Sequence, residues 1–97
     1  MNPIYVPFRD AVHFQDRNRK WSVVHGQIVV QKGETATYKM HAWCESNGMV
    51  YDPTFDLLLP RSAYYRMNQV LETQINRYTY PQVLQKLQET RRYARWE

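Results

Sequence analysis

The sequence predicts an α+β fold, a three-stranded antiparallel meander covered on one face by helices. Three observations carry that expectation. Residues 21–31 alternate in the period-two manner of a strand. Asn47-Gly48 stands between two strand-like arms, and Asn-Gly favours a tight hairpin because both central positions tolerate positive φ. Residues 61–95 then change to helical spacing, with Pro81 placed where a first helical turn accepts it.

In chain order, Pro7 opens a short helix that sets Phe8, Ala11 and Val12 on one face. Asp16 to Lys20 form a charged, solvated turn. Along the first strand Ser22, Val24, Gly26, Ile28 and Val30 share a face that is almost wholly apolar or small, so that face should meet the core. Gly26 marks a bulge or a close approach of another group. Lys32 to Thr35 turn the chain into a second strand at 37–45, and a short third strand at 49–51 ends at Asp52-Pro53-Thr54. Residues 55–60 read as a connection. Ser62 is expected to cap a helix with Ala63, Met67, Val70, Leu71 and Ile75 as its apolar stripe, closing near Asn76 and Tyr78. A last helix from Thr79-Tyr80-Pro81 should bury Val83, Leu84 and Leu87. Arg91, Arg92 and Arg95 enrich its end in positive charge, and Trp96 should fold back on the body.

The chain has 97 residues, read as a single domain over 1–97, with room for one modest core. A net charge of +4, from 13 basic and 9 acidic residues, allows an acidic protein or a nucleic acid as partner without demanding either. The single cysteine excludes an internal disulfide. No apolar run has the length of a membrane span or a signal segment, so no membrane partner is expected and the reading is a cytoplasmic protein.

The residues with chemical capacity gather around the Asn-Gly turn. His41 lies on one arm and Asp52 on the other, and cross-strand neighbours come close enough for imidazole and carboxylate to hydrogen-bond. A carboxylate on one ring nitrogen orients the other for a partner, which is two thirds of a nucleophile–base–orienter device. The plainer reading makes His41 and Asp52 a structural pair, with Asp52 opening an Asp-Pro turn. Cys44 is three residues beyond His41, and that odd spacing sends the two to opposite faces of a regular strand. His25 could lie near His41 if the first two strands pair, but no short-spaced ligand pair signals a metal, and none is expected. His13 is expected to be exposed. No nucleophile elbow or glycine-rich phosphate loop is present, and no cofactor is expected.

The run His41-Ala42-Trp43-Cys44-Glu45, then Gly48, then Asp52-Pro53-Thr54, resembles the second half of the transglutaminase-like and papain-like catalytic core. Val23-Val24-His25-Gly26, and an ending like Tyr78-Thr79-Tyr80 through Glu89-Thr90 to Tyr93 and Trp96, are similar to a group of small phage and bacterial proteins of that superfamily. The resemblance spans roughly residues 21 to 97. It implies a His and an Asp completing a Cys-His-Asp triad whose cysteine opens a helix ahead of the sheet, where the helix N-terminus lowers its pKa. Here residues 1–20 contain no cysteine; Tyr5 to Ala11, where it would fall, offer no thiol.

The resulting expectation is a non-catalytic protein-binding module, a pseudoenzyme of that superfamily. A phage-type inhibitor or accessory protein, acting in the host cytoplasm, is one version. Tyr78, Tyr80, Arg91, Arg92, Tyr93, Arg95 and Trp96 are the expected contact residues, since Tyr, Trp and Arg dominate interface energetics. Two alternatives stand beside it. One is a thiol hydrolase or acyltransferase using Cys44, or a cysteine supplied by a homodimer partner, with His41 as base and Asp52 as orienter. The other is nucleic-acid binding through the basic C-terminal helix.

Overall fold

The computed structural model describes residues 6–96. A helix at Val6–Arg17 (α1) is followed by strands Ser22–Lys32 (β1), Thr35–Ser46 (β2), Met49–Asp52 (β3) and Leu57–Pro60 (β4). A helix at Arg61–Asn68 (α2), a short strand at Asn76–Tyr78 (β5) and a helix at Tyr80–Thr90 (α3) complete the chain. The sheet is antiparallel throughout, in the order β4-β3-β2-β1-β5. The class is therefore α+β, but the sheet has five strands where three were expected: a four-stranded meander β1–β4, with β5 added to the free edge of β1.

Both extra strands form by edge pairing. Leu57–Pro60, expected as a connection, pairs with β3 and sets Leu58 opposite Tyr51. Residues 76–78, expected to close a long helix, pair with residues 23–25 of β1. That long helix does not form. α2 stops after eight residues at Gln69, whose left-handed backbone (φ 51°) ends the ladder. Its N-cap is Pro60, with no side-chain cap, so Ser62 does not fill the expected role. Val70 and Ile75 still reach the core, but from extended chain on either side of a 3-10 turn at Glu72–Gln74.

Helical and loop segments cover both faces of the sheet, not one. On the first face α1 and α3 bury Phe8, Ala11, Val12 and Val83 against Val23, Ala42, Cys44 and Tyr78, with Trp96 closing the cluster. On the second face α2 buries Tyr64 and Tyr65 against Val24, Ile28, Trp43 and Val50. A central antiparallel strand with both faces covered is apolar on both faces. This is why β1 reads Val-Val at 23–24 and buries His25 on the face opposite Val24.

Gly26 is the close approach that the sequence suggested. A Cβ there would stand 2.7 Å from Cη2 of Trp43 and 2.8 Å from Cγ2 of Ile75. The missing side chain leaves room for the Trp43 ring and Ile75 against the β1 backbone. At the β2–β3 turn Asn47 (φ 51°) and Gly48 (φ 77°) both adopt the positive φ that a tight hairpin turn needs. Thr79 N–H donates to Gln82 Oε1 at 2.8 Å and Pro81 sits in the first turn of α3, as expected. Leu84, expected inside, is 48% exposed. α3 ends at Thr90, with Arg91 in the left-handed C-cap conformation, so Arg91, Arg92 and Arg95 lie beyond the helix and not in its last turn.

Candidate functional site

The hairpin register builds the site. Cys44 pairs with Tyr51 and Glu45 with Val50. One further step along that register sets Asp52 across from Trp43, a diagonal neighbour of His41 on the same face. His41 Nε2 donates to Asp52 Oδ2 at 2.7 Å, with both residues 1% exposed or less. The same carboxylate oxygen accepts from Tyr64 Oη at 2.6 Å, and Oδ1 accepts the Phe55 backbone N–H at 3.0 Å. Burial opposes the charge of Asp52, but the hydrogen bonds from His41, Tyr64 and the Phe55 amide outweigh it and hold the carboxyl below its usual range. Burial and the adjacent Asp52 charge push the Tyr64 hydroxyl the other way, so it is a donor and never an anion here.

With Nε2 engaged by Asp52, Nδ1 is the ring nitrogen left over. That atom is buried and receives no hydrogen bond from the described residues. The Phe55 ring stacks on the imidazole at 4.7 Å and 19°, while itself 47% exposed. The ring is thus held by Asp52 at one nitrogen and covered at the other.

Cys44 is on the opposite face. Its Sγ donates to the Ala11 carbonyl of α1 at 3.3 Å, and the residue is fully buried. Burial first, then the carboxylates of Asp52 and Glu45, raise the thiol well above its ordinary pKa. Of the proposed triad members, the fold unites His41 with Asp52 and separates both from the only thiol. α1 also packs on the Cys44 face. Tyr5, part of the stretch where the resembled core would carry its cysteine, lies outside the described residues.

His25 does not approach His41. β1 and β2 pair His25 with Ala42, so the two imidazoles face opposite sides of the sheet. His25 is ringed by Phe8 (4.8 Å), Trp96 (5.0 Å) and Tyr78 (5.1 Å), and its Nδ1 accepts the Trp96 backbone N–H at 3.5 Å. Burial, reinforced by the Arg95 charge, lowers its pKa to about 3, so it is neutral across the ordinary range. Among the described residues no group of three His, Cys, Asp or Glu side chains is placed to hold a metal ion. No helix there is long and apolar enough to cross a membrane.

Two expected contact residues are core residues. Tyr78 is 8% and Trp96 2% exposed, and the Tyr78 hydroxyl donates to the Trp96 carbonyl at 2.9 Å. The tail folds back to fill the aromatic cage over His25, which removes both rings from the surface. Tyr80 and Tyr93 are half-buried: Tyr80 Oη donates to Asp16 at 3.2 Å beneath the Arg19 guanidinium, and Tyr93 meets His13 edge-on. Arg91, Arg92 and Arg95 are exposed, as is His13.

The sequence reading missed Glu45, which is 4% exposed on the His41 face. Its Oε2 accepts from Trp43 Nε1 at 2.9 Å and from the Tyr65 hydroxyl; its Oε1 meets Arg77 and Arg61, each at 3.1 Å. The alternation His41-Trp43-Glu45 was the available signal, since period two puts all three on one face. Its partners come from α2 and β5, elements that the sequence reading had merged into a single helix. No protein-family model, curated protein or solved structure matches this chain.

Proposed function

We propose that this chain is a non-catalytic protein-binding module, a degenerate form of the cysteine-protease-like core whose hairpin it resembles. An inhibitor or accessory protein of phage type is its concrete form. The observation that carries the reading is the split between His41–Asp52 on one face and the Cys44 thiol on the other, donated to Ala11 O. A base and its orienter remain, with the chain's one thiol on the far face of the sheet.

The outward parts of the molecule favour docking. Residues 31–39 of the β1–β2 hairpin are exposed on both arms, beyond the registers in which β3 and β5 support the sheet. A two-stranded ribbon gains little stability alone. Tyr38 on this ribbon is 67% exposed, the kind of side chain that anchors an interface.

Iodoacetamide labelling tests the reading. Cys44 is expected to react near neutral pH only as fast as the fold opens, and His41→Ala should not slow it. Rapid labelling of the folded chain that His41→Ala slows would overturn the proposal.

A second reading draws on the buried, unpartnered Nδ1 of His41, which a thiol from another chain could meet. A homodimer supplies only another Cys44, equally buried, so that thiol would come from a different protein.

A further inference from the structure

The protruding β1–β2 ribbon leaves one edge of the sheet open. Ser46 and Met49 close the two-residue turn at Asn47-Gly48, so they form a hydrogen-bonded pair of the β2–β3 ladder. Backbone groups alternate sides along a strand, so Cys44, Met40, Tyr38 and Ala36 direct theirs to the same side as Ser46. Cys44 meets Tyr51 there, and the pairing with β3 ends at that residue. No backbone bond joins residues 36–40 to any described segment other than β1. The N–H and C=O groups of Ala36, Tyr38 and Met40 are thus a free row, the template on which another strand adds. The other edge of the ribbon, along β1, is partly occupied, because Ile75 lies against Gly26.

The row carries few of the devices that keep strand edges apart. Residues 36–40 contain no proline, and their pairing with β1 runs without a bulge. Lys39 is the one charge among them. Ala36, Thr37, Tyr38 and Lys39 are exposed and Met40 is half-buried. Tyr38, 67% exposed, stands across from Val29 on one face of the ribbon.

A two-fold axis at Tyr38 makes this row complementary to itself. Two antiparallel copies then set Tyr38 opposite Tyr38, Ala36 opposite Met40 and Thr37 opposite Lys39. Outward backbone groups meet outward backbone groups, and a small side chain faces a large one. The two phenol rings pair across the strands, each beside its own Val29. Lys39 meets a hydroxyl in this register, whereas a slip that set Lys39 opposite Lys39 would bring like charges together. We propose that this chain forms a two-fold dimer by antiparallel pairing of residues 36–40 of β2, which joins the two sheets into one. This partner rests on the docking reading of the ribbon and not on the His41–Asp52 pair.

Sedimentation equilibrium of the full chain at up to about 1 mM, the range for small interfaces, should show a monomer–dimer equilibrium. Tyr38→Lys, at an exposed position, sets two ammonium groups opposite each other and should leave only monomer over the same range. Cysteine cross-linking reads the register. Thr37 and Lys39 form a pair without mutual hydrogen bonds, with Cα atoms about 4.5 Å apart, within disulfide reach. A mixture of Thr37→Cys and Lys39→Cys chains should therefore oxidise to the mixed dimer in preference to either like pair. The unsubstituted chain, whose only thiol is buried, should give none. A chain that stays monomeric, a dimer that survives Tyr38→Lys, or like pairs that form as readily as the mixed one would overturn the proposal. A strictly monomeric chain would still leave the binding-module reading to the thiol test above.

Discussion

The two faces of the sheet handle buried polar groups in opposite ways. Under α2 each buried carboxylate collects several donors: Asp52, held below its usual range, from His41, Tyr64 and the Phe55 amide, and Glu45 from Trp43, Tyr65 and Arg77. Under α1 and α3 the titratable groups are held uncharged, with the His25 pKa lowered and the Cys44 pKa raised. Charge survives burial only where hydrogen bonds replace water, and an aromatic cage such as Phe8, Tyr78 and Trp96 offers almost none. The same strand, β2, serves both regimes, with His41, Trp43 and Glu45 on one side and Ala42 and Cys44 on the other.

The α2 face is most vulnerable at Asp52. Asp52→Ala leaves His41, Tyr64 and the Phe55 amide without their shared acceptor, and should cost about 3–5 kcal/mol, the scale for removing one partner of a buried charged network. Urea unfolding followed by Trp fluorescence measures it; a loss below ~1 kcal/mol would mean that water already serves these donors.

The pH dependence separates the faces. His25 titrates at 6.5 when unfolded and at about 3 when folded, so between those values the unfolded chain binds the extra proton. Its contribution, of order 4 kcal/mol, is complete above pH 6.5 and is lost as pH falls toward 3. Asp52, lowered from 3.8, adds its own loss only below that value. The α1–α3 face should therefore weaken first in acid. His25→Phe should flatten the stability profile between pH 6.5 and 4 while leaving the steeper loss at lower pH. An unchanged profile in that variant would show that His25 is not the group responsible.

The smallest effect is expected at Gly26, where packing alone is disturbed. Gly26→Ala places a Cβ 2.7 Å from the Trp43 ring, and should cost about 1–3 kcal/mol by overpacking the α2 face. Near-UV circular dichroism should report a displaced Trp43, with the His25 acid profile unaltered. A neutral substitution would mean that the indole shifts freely.

Much of this was written locally. Phe8, Ala11 and Val12 on one side of α1, the Asn47-Gly48 turn and the His41–Asp52 approach follow from spacing and turn chemistry within short windows. The largest failure lay in 62–78. The stripe Ala63, Met67, Val70, Leu71 and Ile75 has helical spacing, yet the chain breaks at Gln69 and spends Asn76–Tyr78 on the open edge of β1. A three-residue strand carries no periodicity of its own, and only the waiting backbone groups of β1 make it favourable. That error concealed both the second covered face and the Glu45 hub, since Arg77 comes from β5 and Tyr65 from the short helix.

By itself the sequence determined the local devices: which stretches turn, which alternate, and that His41 and Cys44 must part company on a strand of period two. The tertiary structure alone decided what lies above each face. It placed Phe55 over His41, Ala11 against Cys44 and Trp96 over His25, because the partner of a buried group is chosen by packing between elements distant in the chain, and no window of neighbouring residues contains that information.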